Sequence, residues 1–424
     1  MSSTEPAQKP KTMLPVLMAA GVSGTAGYVV LVLAARVLDP ATNAAFLVYW
    51  GALFAFFGAL VGVTAETTRA VFSAGVPRRH DRAGVEPAKG STLVLGVALT
   101  LGGGIALLVG ATGPAWAPRL FGDDWLALLA ALVTGIVLFT THAALSGSAA
   151  GTSAWTPYSL LVGSEATSRL VLCAVVALLG GSLVGLAWAV SLASGMWIVW
   201  LCTSSRYRRL AAVRAPIDRA GLTRRMIAAC TASGVSALLL VGYPVLLRIT
   251  TPDDVFAGAA PIVLAVSLSR APLMVPLGIY QNVLVTKVIM HGVRFLGPVL
   301  GALAGVTLVG AVLAWLIGPW LLRLINPAYH VSGPMFAALV VTAGLVALLT
   351  ITGAASLALD HHAVYLVGWI AATVVCLVVL VLAPWSLETR VVSSLVLGPG
   401  VGAAVHVLGG LRRHSTTTWR SHGA

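Results

Sequence analysis

Charge is scarce in this chain. Only 9% of its 424 residues are Asp, Glu, Lys or Arg, against 58% that are hydrophobic, whereas a soluble globular domain carries about a quarter charged residues. Acidic groups are scarcer still, 13 against 26 basic ones. Cysteine appears four times, as Cys173, Cys202, Cys230 and Cys376, each inside or at the end of an apolar run and none with a partner at metal-ligand spacing. That excludes a disulfide scaffold and a cysteine-based metal site, and leaves small packing residues. The two adjacent imidazoles of "DHH" at 360–362 cannot ligate one ion from a regular helix. No GxxxxGK[ST] loop occurs, so no phosphate cradle for ATP is present and no cofactor is expected. The net charge of +13 comes without a soluble domain to present a groove, which removes nucleic acid as a partner.

Long apolar runs are abundant. A helix rises about 1.5 Å per residue, so about 20 apolar residues cross a bilayer core of about 30 Å. Twelve such runs occur, near 13–35, 44–70, 91–112, 125–145, 158–179, 183–203, 226–247, 257–285, 295–317, 334–358, 363–383 and 391–411. A closed barrel would show ten-residue alternation instead, so the runs predict an all-α polytopic membrane protein. The first run is too long, and lacks a small-residue cleavage site, to be a removable signal.

Lys and Arg are retained on the cytoplasmic side of short loops. With the N-terminus inside, eighteen basic residues fall in the cytoplasm, among them those of "PRRHDRAGVEPAK", "RYRRLAAVRAPIDRAGLTRR" and "RRHSTTTWR". The other side receives Arg36, Arg119, Arg248, Arg323 and Arg390 together with most of the acidic loop residues. Both termini are therefore expected in the cytoplasm.

The basic stretch 204–225 divides the runs into two sets of six. "PRLFGDDW" after the third run is answered by "LLRLINPAY" after the ninth. "LSGSAAG" at 145–151 is answered by "ITGAASL" at 351–357, and "ARVLDPATNAAF" loosely by "LRITTPDDVFAG". Six spans return each half to the same side, so the halves are expected to be parallel repeats around a central cavity near the midplane. The division expected is a cytoplasmic tail 1–12, a six-helix lobe 13–203, a basic cytoplasmic linker 204–225, a second six-helix lobe 226–411 and a basic tail 412–424.

On these residues a resemblance can be stated. "LAARVLDPATNAAFLVYWGALFAFFGALVG" resembles the first hairpin of oligosaccharide flippases, polysaccharide biosynthesis and export proteins of the multidrug/oligosaccharidyl-lipid/polysaccharide (MOP) superfamily. "LFGDDW" and "INPAYH" resemble the turns after the third and ninth helices there. "LSGSAAGTSAWTPYSLLVGSEATSRLVL" is similar to the stretch entering the fifth, where a Gly-rich turn leads to a Glu and an Arg. The resemblance covers about residues 13 to 410. Twelve spans depart from the fourteen of the peptidoglycan-precursor flippase. The resemblance implies a transporter, not an enzyme, that moves a lipid-linked polyisoprenyl-pyrophosphate oligosaccharide or a related cell-envelope glycan precursor across the bacterial cytoplasmic membrane by alternating access. It further implies a monomer working with membrane lipids and glycan-biosynthesis enzymes, with ions or protons for coupling.

The charges inside the runs are the candidate site. A central Arg costs about 2.5–3.5 kcal/mol on insertion scales, so it faces a cavity or a partner. Arg270 lies in the middle of the eighth run, "SLSRAPLMVPLGIYQN", where Pro272 and Pro276 are expected to kink the helix. It either grips a pyrophosphate with its planar fork of donors or pairs with Glu66, Glu165 or backbone carbonyls. Glu165 and Arg169 share a helix face at i, i+4 and either neutralise each other or serve as a coupling carboxylate and a headgroup contact. Glu66 and Arg69, at i, i+3, pose the same choice, with Arg69 either snorkelling to the interface or guarding an entrance. Gln281 and Asn282 are substrate contacts or interhelical hydrogen-bonders. Arg36 with Asp39 and Arg248 with Asp253 sit at repeat-related ends, as local salt bridges or as a candidate outer gate. His142 is expected to be a packing residue.

Two other classes remain. "HDRAG" at 80–84 shares four letters with the major-facilitator signature, but Pro77 stands where that pattern has Gly, so a small-solute or multidrug exporter is the alternative. A membrane glycosyltransferase using Asp123–Asp124 or Asp253–Asp254 lacks the long outer loop such enzymes have.

Overall fold

A computed structural model describes residues 14–75 and 91–420, with the side chains of residues 74–75, 279, 281–282 and 411–420 outside the described set. In chain order the elements are α1 (Leu14–Val37), α2 (Pro40–Gly75), β1 (Thr92–Leu93), α3 (Val94–Phe121), α4 (Trp125–Gly151), α5 (Trp155–Leu178), α6 (Leu183–Ala193), α7 (Trp197–Thr203), α8 (Ser205–Ala211), β2 (Arg214–Ala215), α9 (Arg219–Leu240), α10 (Tyr243–Thr250), α11 (Asp253–Phe256), α12 (Ala260–His291), α13 (Leu296–Ile325), α14 (Gly333–Ala358), α15 (His362–Leu382) and α16 (Leu387–Arg420).

The fold is all-α and polytopic, because a chain this apolar must satisfy its backbone groups within each segment. Local residues set the ends. Asp39 Oδ1 accepts from Ala41 N (3.0 Å) and Thr42 N (3.1 Å) at the start of α2. Ser182 accepts from Gly185 N at the start of α6, and Ser332 from Met335 N at the start of α14, both ordinary N-caps. Gly122 and Gly292, with φ of 68° and 70°, end α3 and α12 in the left-handed region that favours glycine.

Nine described segments are long and apolar enough to cross a membrane, and two bent helix pairs, α6 with α7 (43°) and α9 with α10 (65°), raise that to eleven. One of the nine, Val94–Gly151, has 58 residues and consists of α3 and α4 joined by the 3-10 turn Gly122–Asp124. Counting α3 and α4 separately gives the twelve spans expected. α12 continues as one helix past Pro272 and Pro276.

The chain forms two compact units, one of Met1–Leu33 and Leu53–Gly234, the other of Ala34–Ala52 and Val235–Ala424. The division therefore runs through α9 and through the α1–α2 hairpin, and the basic stretch 204–225 lies inside the first unit. That stretch is folded. β2 pairs antiparallel with β1, Thr92 opposite Ala215 and Leu93 opposite Arg214, and Tyr207 and Leu210 of α8 pack on Leu145, Ala149 and Leu161.

Small residues set the helix spacing in each unit. In the first, a Cβ on Gly147 would meet the Thr67 side chain at 2.6 Å and the Thr64 carbonyl at 2.7 Å. Thr64 and Thr68 hydroxyls donate across that contact to the carbonyls of Ala143 (3.1 Å) and Gly147 (3.3 Å). In the second, Ile351, Ala354 and Ala355 of "ITGAASL" form a core with Leu284 and Val288. The two matching motifs thus occupy the last turns of α4 and α14 and serve close packing.

Candidate functional site

In the first unit, α5 turns Glu165 and Arg169 to the same side, and the two form an ion pair with both side chains 4% exposed. The Arg169 guanidinium lies 4.9 Å from the centre of the Phe54 ring on α2, a cation–π contact strengthened by desolvation. His142 on α4 is buried, within electrostatic reach of both charges, and stacks on Phe139, which stacks on Phe57 at 4.0 Å. His142 Nδ1 and Arg169 Nε have no hydrogen-bond partner among the described residues. The cluster is therefore a neutral ion pair roofed by aromatics, with an imidazole beside it that has a nitrogen to spare.

Glu66 and Arg69 also pair, Arg69 Nε donating to Glu66 Oε2 at 2.9 Å. Their surroundings differ sharply: Glu66 is 1% exposed and the Arg69 side chain 68%. Glu66 is a buried carboxylate, and Arg69 is a long side chain reaching out of the packed bundle over it.

The second unit holds Arg270, buried on α12. Pro244 explains what it does there. In a continuous helix the carbonyl of Leu240 would accept from the N–H of residue 244, and proline has none. The chain bends at Val241–Gly242, where both N–H groups return to the Ala237 carbonyl. Arg270 then donates from one terminal nitrogen to the Leu240 carbonyl at 2.8 Å and the Leu239 carbonyl at 3.3 Å. Its guanidinium carbon stands 5.6 Å from the centre of the Tyr243 ring, whose hydroxyl meets Ser394 Oγ at 2.9 Å. A positive group thus caps the negative end of α9, and Gly51 of α2 allows close approach, since a Cβ there would meet Pro244 Cδ and the Val241 carbonyl at 3.2 Å. Of the partners anticipated for Arg270, these contacts are backbone carbonyls.

The candidate gate residues divide. Arg248 pairs with Asp253 and lies 5.2 Å from the centre of the Phe256 ring. Arg36 does not pair with Asp39. Its Nη2 donates to the Leu324 carbonyl at 3.2 Å, while Asp39 caps α2. The Thr42 hydroxyl and the Thr42 and Ala41 amides hold the Asp39 carboxyl below its ordinary value. Around Arg36 the α1–α2 turn is stitched to the α13–α14 turn: Asn326 Nδ2 donates to the Ala35 carbonyl at 2.8 Å, and Asn43 Nδ2 to the Tyr329 hydroxyl at 2.7 Å. Burial pushes the Tyr329 phenol up. Gln281 and Asn282 belong to α12, and their side chains lie outside the described residues.

The structure thus brings together Glu165 with Arg169 and Glu66 with Arg69, and sets Arg270 against the Leu239 and Leu240 carbonyls. Sequence reasoning missed His142 as a neighbour of the ion pair, Pro244 and Tyr243 as partners of Arg270, and Asn43, Asn326 and Tyr329 as turn stitches. The last three lie in "LDPATN" and "INPAYH", segments already singled out, where amide side chains beside prolines were the available signal. Among the described residues no group of three or more His, Cys, Asp or Glu is placed to hold a metal ion.

No family model matches the chain. It is similar to Uncharacterized protein Rv1510 of Mycobacterium tuberculosis, 37% identical over 391 residues that cover 91% of this chain and 88% of that protein. Uncharacterized protein Rv3630 of the same organism is 37% identical over 396 residues, covering 92% and 90%. Among solved structures, the fold matches an inward-facing multidrug resistance MATE family transporter of the MOP superfamily, with a TM-score of 0.68, 17% identity, and 97% and 96% of the two chains covered. It also matches a MOP superfamily transporter from Pyrococcus furiosus described by the reverse polarity of its binding pocket, with a TM-score of 0.62, 16% identity and 96% of each chain covered. At such identities the likeness is one of fold.

Proposed function

The chain belongs to the family of the mycobacterial proteins Rv1510 and Rv3630 and has the fold of MOP-superfamily transporters; on that footing we propose that it flips a lipid-linked oligosaccharide, carried on polyisoprenyl pyrophosphate, across the bacterial cytoplasmic membrane by alternating access. Both termini face the cytoplasm in this reading, as the basic residues require. Arg270 carries the argument. It is a guanidinium inside the second unit, 5% exposed, positioned by the Leu239 and Leu240 carbonyls and the Tyr243 ring. A sugar pyrophosphate leaving water needs such a charge to offset its own desolvation.

Glu165 is the coupling group in this scheme. While ionised it neutralises Arg169; once protonated it releases that guanidinium to an anionic headgroup. Arg69, reaching out of the bundle, meets the headgroup first.

Native mass spectrometry of the purified protein with its co-purifying lipids tests the reading, comparing wild type with Arg270→Ala and Arg270→Lys. A polyisoprenyl phosphate or pyrophosphate glycan retained by wild type, weakened in the Lys variant and lost in the Ala variant supports it. Absence of any such lipid from wild type overturns it. The second reading is a multidrug exporter, favoured by the fold shared with multidrug resistance transporters and by the buried carboxylates Glu66 and Glu165. Efflux of a cationic dye from cells, abolished by Glu165→Gln and indifferent to Arg270→Lys, would place that reading first.

A further inference from the structure

The positive-inside rule accounts for basic residues between α7 and α9, but not for their being folded, since a flexible loop would hold orientation as well. Seven arginines lie on this stretch and its continuation into α9: Arg206, Arg208, Arg209, Arg214, Arg219, Arg224 and Arg225, all exposed. Two belong to the scaffold. Arg208 donates to the carbonyls of Leu201 (2.8 Å) and Cys202 (3.1 Å) at the end of α7, and Arg214 to the carbonyl of Ser91 at 3.0 Å. The other five make no hydrogen bond or ion pair to a described residue. One acid lies among them, Asp218, and it is spent on capping α9, accepting from Gly221 N at 3.0 Å.

The scaffold beneath is firm. The β1–β2 ladder is extended by Val94 N to the Val213 carbonyl at 3.2 Å and by Thr92 Oγ1 to the Ile217 carbonyl at 2.6 Å. On the two-turn helix α8, Tyr207 and Leu210 are buried while Arg206 and Arg209 are exposed. Trp200 stacks on Tyr207 at 5.1 Å and sends its indole N–H to Ser164 Oγ at 2.9 Å, anchoring the turn at the depth where indoles favour the membrane interface. α8 begins two residues after α7 ends, and α9 starts at Arg219, so the arginines sit at the ends of two candidate spans.

We propose that this segment is a preformed platform for anionic phospholipid headgroups of the adjacent leaflet. Five guanidiniums with no hydrogen-bond or ion-pair partner among the described residues, held by a folded scaffold at the ends of two candidate spans, match the charge of a row of phosphodiesters. Each basic residue near an anionic surface contributes about 1 kcal/mol, and ordering the platform in advance removes the entropy that a loop would lose on binding. This proposal does not depend on what the protein transports.

The test uses the full-length protein purified in mild detergent and titrated with phosphatidylglycerol or phosphatidylcholine, with lipid adducts counted by native mass spectrometry. The Gln variant replaces Arg206, Arg209, Arg224 and Arg225 together, its partner replaces the same four with Lys, and Arg119→Gln is the control. Wild type is expected to retain phosphatidylglycerol over phosphatidylcholine, with a loss of at least about tenfold in apparent affinity in the Gln variant, little loss in the Lys variant and none in the control. An unchanged lipid-free melting temperature in the Gln variant separates lost binding from lost folding; if it falls, the Lys variant against wild type at raised salt decides, binding weakening with salt in both. Equal retention of the two lipids, or an unaffected Gln variant, overturns the proposal. Displacement of the bound lipid by inorganic pyrophosphate alone would also overturn it, reassigning the arginines to a soluble phosphate compound.

Discussion

Arg270 satisfies a carbonyl that Pro244 cannot serve, and that division of labour has a measurable signature. Arg270→Ala leaves the half-buried Leu240 carbonyl without this donor, at a cost of about 1–3 kcal/mol, read as a lower melting temperature in detergent. Pro244→Ala restores an N–H at the right position. Combined with Arg270→Ala it should recover part of the loss, so the double-mutant cycle should show a coupling of about 1 kcal/mol; additive effects would dissolve the link. The Glu165–Arg169 pair behaves differently. Removing either partner strands a buried charge, at about 3–5 kcal/mol, whereas the double variant Glu165→Gln with Arg169→Gln should be much milder. Neither outcome was legible beforehand in full: the i, i+4 spacing revealed the second pair, but the first joins residues 30 positions apart and rests on an absent hydrogen.

At the scale of elements, the spans were legible because each is a sustained apolar run, and the α9–α10 break was not, because "LLLVGYPVLL" is as apolar as its neighbours. Gly242 and Pro244 were the only warning. The folding of 204–225 was equally hidden, since a two-residue ladder and two turns of helix are too short to show a period. Helix contacts make sharper predictions. A Cβ on Gly62 would lie 2.4 Å from the backbone of Ala229 and Cys230, where no side chain can yield, so Gly62→Ala should force α2 and α9 apart and cost about 1–3 kcal/mol, visible as reduced yield and melting temperature. The cap of α2 is pH-dependent. Because the folded state depresses the Asp39 carboxyl, its stabilisation is full above the ordinary carboxylate range and is lost as pH falls through the lowered folded value. Melting curves of wild type and Asp39→Asn should therefore diverge near neutral pH and converge in acid; a constant offset would refute the cap.

For the whole molecule, the all-α polytopic membrane fold was read from hydropathy, and structural likeness across 97% of the chain supports that fold. The substrate was not readable, because the charges inside the spans are few and mostly engaged with the protein itself. Orientation has a direct test in a native thiol. Cys202 at the end of α7 is the exposed cysteine, with Cys173, Cys230 and Cys376 buried. If the basic side is cytoplasmic, a membrane-impermeant maleimide should leave Cys202 unlabelled in intact cells and label it after permeabilisation.

The contact between Arg270 and the carbonyl opposite Pro244 also bears on descent. A lineage that loses the proline keeps a buried guanidinium with one acceptor claimed by a backbone N–H, and a lineage that loses the arginine keeps a broken helix with a bare carbonyl. Either single step is penalised, so the two residues pass from ancestor to descendant as one character, and relatives should carry both or neither.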